Sequence, residues 1–80
     1  MKIPAIKKLC QQYSREQLAE AEEQILDGET LAIEIEGDDE GEQLTHVLAA
    51  QWVLLKMDAE GWDFRTAIRE YTQKVRSSIN

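Results

Sequence analysis

The sequence predicts a small all-α protein: a helical bundle of three main helices plus a short N-terminal helix, with one extended segment near residues 30–37. Three observations carry this. Apolar residues recur at spacings of three and four through four separate stretches, the period of an amphipathic helix. The breaks between stretches hold residues that start or stop helices: Ser14, Gly28, Asp39, Gly61 and Asp63. A two-residue alternation occurs once, at Leu31, Ile33 and Ile35, and no second strand-like run exists to pair with it.

The first helix is placed at residues 3–12, where Ile3, Ile6, Leu9 and Cys10 share a face and Lys7 and Lys8 meet water. Pro4 suits a first turn, since its missing N–H would have no helical partner there. "SREQ" opens the second helix as a capping box, with Ser14 at the N-cap, Gln17 three residues on, and Tyr13 set to staple onto Leu18. Leu18, Ala21, Glu22, Ile25 and Leu26 form a narrow stripe that covers a core edge. Gly28 ends the helix, because a residue without Cβ turns to positive φ without penalty.

Residues 31–36 have three open placements: a loop lying on the helices, a distorted helical turn, or a strand paired with its twin across a two-fold axis. Asp39 then restarts the helical signal as an N-cap, with Glu42 at the third helical position. Asp38, Asp39, Glu40 and Glu42 crowd a helix N-terminus, where partial positive charge favours carboxylates. The acidic run therefore has a structural role before any other.

Residues 43–60 give the strongest helix. Leu44, Val47, Leu48, Trp52 and Leu55 line one face, and Ala49, Ala50, Val53 and Met57 the reverse. A helix apolar nearly all round has to be covered nearly all round, and three short helices are few for that task. We therefore expect a homodimer with Leu48, Trp52, Val53 and Met57 at its interface, joined by Ile33 and Ile35. Gln51 interrupts the apolar face and is expected to set helix register or to pair across the dimer axis. Gly61 and Asp63 separate this helix from a last one at about 64–77. There Phe64, Ala67, Ile68, Tyr71 and Val75 form the stripe, and Arg65, Arg69 and Arg76 a basic line.

Eighty residues correspond to one helical domain, and 42% apolar with 31% charged residues is a soluble globular composition. The net charge of −7 is concentrated between residues 16 and 60, while both ends are basic. That acidic centre would repel a phosphate backbone, so nucleic acid is not an expected partner. No apolar run is long enough to span a bilayer, so no membrane association is expected. A lone cysteine and an N-terminal stretch without a secretory pattern point to the cytoplasm.

Three residues are candidates for reactive or metal-linked chemistry: Cys10, His46 and Glu42. His46 with Glu42 one turn before it has the spacing of a general base or half a metal pair, but a zinc centre would need ligands that the chain lacks. The simpler expectation is a partly buried interface histidine bonded to a carboxylate. Lys7, three residues before Cys10, would lower the thiol pKa if both were exposed; without a CxxC, a buried structural thiol is expected instead. A calcium loop with Glu36, Asp38 and Glu40 at places one, three and five, and Gly41 at six, fails at place twelve, which is Val47. No catalytic motif, cofactor motif or specific metal site follows from the sequence, and an enzymatic role is left open.

"IEIEGDDEGEQLTH" followed by "WDFRTAIREYTQKVR" resembles a family of small acidic Bacteroidota proteins of unknown function, over nearly the full chain. The resemblance brings no catalytic residues. It implies thioredoxin-like and peroxiredoxin genes as neighbours of the family's genes, and so a thiol-redox protein partner for Cys10 or the acidic surface. The function expected is that of a small accessory or interaction protein, with a thiol-redox-linked or metal-assisted catalyst using Cys10 or His46 as the alternative.

Overall fold

The computed structural model describes residues 1–78, and it contains four helices: α1 (Ile3–Gln12), α2 (Arg15–Asp27), α3 (Glu40–Glu60) and α4 (Phe64–Ser78). The all-α bundle with a short N-terminal helix is what the periodicity predicts, and there is no strand among the described residues. The helix ends follow from local chemistry. Ser14 Oγ accepts from the Gln17 N–H at 3.2 Å, and Gln17 Oε1 accepts from the Ser14 N–H at 2.9 Å, completing the capping box. Asp39 Oδ1 accepts from the Glu42 N–H at 2.8 Å, and Asp63 Oδ1 from the Thr66 N–H at 2.8 Å. Gly28 and Gly61 end α2 and α3 in the left-handed region, at φ 71° and 70°. One detail differs from a standard capping box: Glu42 reaches back to the Asp38 N–H rather than to that of Asp39. Helix α3 begins at Glu40, directly behind its cap, three residues before the start expected from the apolar period at residue 43.

Helix α3, about 31 Å long at 1.5 Å per residue, is the axis of the molecule, and α1, α2 and α4 each pack along it. The core joins Ile6 and Leu9 of α1, Leu18, Ala21 and Ile25 of α2, Val47, Ala49, Ala50 and Val53 of α3, and Ala67 and Ile68 of α4. Ala49 and Ala50 are completely buried, and their small side chains let neighbouring backbones come close. Leu26, which the spacing adds to the α2 stripe, instead points to solvent at 63% exposure.

The segment between α2 and α3 is a loop laid over the helices, one of the three placements the alternation left open. Ile35 is buried in the core, with exposed Glu34 and Glu36 on either side. Gln24 Oε1 accepts from the Ala32 N–H, and the Gln43 side-chain amide donates to the Ile35 carbonyl. These side-chain bonds supply part of what a partner strand would otherwise provide.

Gly37 sits against the start of α3 with no room to spare: a Cβ there would lie 2.9 Å from the Gln43 backbone nitrogen and 2.7 Å from its Cγ. We expect Gly37→Ala to destabilise the fold by about 1–3 kcal/mol, the range for forcing extra atoms into a packed site. Urea denaturation measures this; an unchanged midpoint would show that the loop shifts away freely.

Candidate functional site

Cys10, His46 and Glu42 do not converge. Cys10 is half-buried on α1, and its Sγ faces the Ala50 carbonyl of α3 at 3.7 Å. Burial pushes the thiol up from 9.0 to about 11, the opposite of the electropositive, accessible setting that activates a thiolate. Lys7 is exposed and does not offset this burial.

The raised thiol pKa has a consequence for stability. The folded state holds this proton more tightly than the unfolded chain does. The resulting stabilisation is complete below pH 9 and is lost as the pH rises toward about 11. Tyr71, also raised by burial, acts in the same direction. Urea midpoints measured across the alkaline range are expected to fall more steeply for the natural protein than for Cys10→Ala; parallel curves would contradict the assigned burial.

His46 is fully buried, and both ring nitrogens are used. Nε2 accepts from the Lys2 backbone N–H at 2.9 Å, and Nδ1 lies 2.8 Å from the Glu36 carbonyl. A carbonyl only accepts, so Nδ1 carries the proton and the ring is the neutral Nδ1–H tautomer. This corrects the expectation of a partly buried interface histidine on a carboxylate: both partners are backbone groups, one just before α1 and one in the loop. The imidazole ties three segments together and offers no free nitrogen for a metal or a substrate. Glu42 spends one oxygen on its capping bond and lies 3.9 Å from Lys2 Nζ, which is 4.0 Å from Asp38. No group of three or more His, Cys, Asp or Glu among the described residues is arranged to hold a metal ion.

The outward face of α3 is a different kind of feature. Leu48 and Leu55 lie one turn either side of Trp52 and are each 41% exposed, with Leu44 half-buried beside them. Trp52 is packed on Tyr71 at 5.5 Å between ring centroids, with Lys56 Nζ 5.5 Å from its own ring. Its indole is thus held in one orientation while part of it meets solvent. Of the residues expected at an interface, Leu48 and Trp52 are on this face, and Met57 and Ile33 are half-buried against the core. Val53 at 0% and Ile35 at 6% exposure belong to the interior and cannot contribute to a surface. Leu55 shares the face but is absent from the expected interface, because periodicity gives a face and not what covers it. Gln51 finds its partner within the chain: its amide donates to Glu22 Oε1 of α2 at 2.8 Å, so a dimer axis is not needed to satisfy it.

Residues 1–80 match the family described as DUF6952, a family of unknown function. The chain belongs to the DUF6952 family. No curated protein and no solved structure matches it. For this DUF6952 chain, therefore, function has to be read from the arrangement itself: a thiol and an imidazole held by packing, and an apolar face left open. No helix among the described residues is long and apolar enough to cross a membrane.

Proposed function

We propose that this protein is a non-enzymatic accessory protein that acts by self-association, pairing as a homodimer through the outer face of α3. The observation that supports this reading is the exposed line of Leu48 and Leu55 around an oriented Trp52. Aromatic and aliphatic anchors of this kind dominate the energetics of interfaces, and a two-fold axis lets one self-complementary patch cover itself. The catalytic alternative is the weaker one. Cys10 is held protonated by burial, and His46 has committed both nitrogens to backbone partners.

Light scattering coupled to size exclusion, from micromolar to tens of micromolar protein, tests the reading. We expect twice the 9.2 kDa chain mass for the natural protein, and the single-chain mass for Leu48→Glu/Leu55→Glu with an unchanged circular dichroism spectrum. A natural protein that stays at 9.2 kDa throughout that range overturns the homodimer.

A further inference from the structure

A second surface lies along α4. A groove of about 410 Å³ runs beside it, lined by the apolar Ile3 and Ile68 and by Arg65, Arg69, Thr72 and Arg76. The spacings of four, three and four residues place these last four in line on one helix face. Among the described residues no carboxylate lines the groove, although the chain as a whole carries −7. Among the described residues, none of the three arginines forms an ion pair within 4 Å. At longer range, Asp63 feels the charge of Arg65. Three exposed guanidinium groups beside two isoleucines, on an acidic protein, form a cationic strip with no anion at ion-pair distance among the described residues.

We propose that this groove binds an extended polypeptide segment carrying carboxylates at alternate positions, supplied by a different protein, since this chain's own alternating run at 33–36 is pinned down by the burial of Ile35 and the Gln43 bond to its carbonyl. The line from Arg65 to Arg76 is about 16 Å long at 1.5 Å per residue, the length of about five residues of extended chain. Arg65 and Arg69 are about 6 Å apart along the helix, close to the about 6.6 Å between same-side residues of a strand. Two carboxylates on one side of such a segment thus meet the guanidinium forks of Arg65 and Arg69, which suit them geometrically, and Arg76 adds positive charge at the far end of the line. A single phosphate cannot engage three groups spread over that length. A longer, uniformly charged nucleic acid would also have to pass the acidic remainder of a chain that carries −7. This inference concerns α1 and α4 and does not depend on how α3 pairs.

The test is fluorescence anisotropy of the full chain with a labelled, capped peptide alternating glutamate and valine. We expect saturable binding that weakens as salt rises, by about tenfold or more when glutamine replaces glutamate in the peptide. Arg65→Glu/Arg69→Glu should abolish it while keeping the helical spectrum, and Leu48→Glu/Leu55→Glu should leave it intact. Equal binding of the glutamine peptide, or unchanged binding by the arginine variant, overturns the proposal. So does displacement of the peptide by pyrophosphate or oligothymidylate at lower concentration than by unlabelled peptide, which would make the groove a phosphate site.

Discussion

His46→Phe is expected to lower the unfolding free energy by about 2–4 kcal/mol, and His46→Ala by about 3–5 kcal/mol. The ring at 0% exposure accepts from the Lys2 N–H and donates to the Glu36 carbonyl. Phenylalanine keeps the approximate shape and removes both bonds, leaving a donor and an acceptor without their partner in a buried site. Alanine does the same and adds a cavity. The difference between the two variants, read from urea midpoints at constant slope, separates packing from hydrogen bonding. A small domain holds only about 5–15 kcal/mol in total, so either loss would be a large share of it. If His46→Phe proves as stable as the natural protein, the imidazole is a space-filler and the three-segment tie is not a source of stability.

Ile6→Ala should cost about 2–5 kcal/mol, the range for truncating a fully buried β-branched side chain to a methyl. Ile6 has no exposed surface and joins the core on the α1 side of α3 together with Leu9. The prediction asks whether the short N-terminal helix is integral or appended. An appended helix would fray on its own and leave the main unfolding transition in place. An integral one shifts the single transition by the full amount. Leu26→Ala is the matched control, because that leucine is 63% exposed and surface changes usually stay within about 0.5 kcal/mol. Equal effects of the two substitutions would show that burial at Ile6 is not stabilising the fold.

Much of this architecture was legible from the chain because it is written locally. The capping box at Ser14 and Gln17, the Asp39 and Asp63 caps and the two αL glycines each act over three or four residues. Local hydrogen bonding and the absence of a Cβ decide them without reference to the rest of the molecule. Helical periodicity likewise gave all four elements and identified α3 as the one needing most cover.

What the tertiary structure alone decided is which neighbour each ambiguous side chain meets. His46 bonds to groups 44 and 10 residues away, Gln51 to a carboxylate 29 away, and Cys10 faces a carbonyl 40 away. No spacing rule reaches across such separations. The same holds for Val53 against Leu55 on one helix, the first enclosed at 0% and the second open at 41%. Their hydrophobicities are alike, and only the positions of α1, α2 and α4 around α3 distinguish them. The sequence by itself determined where the helices are capped and that α3 is apolar nearly all round, because backbone capping and side-chain period are short-range properties. The packing determined which apolar residues were left uncovered and which polar ones were locked in place, because burial is a property of all the helices together.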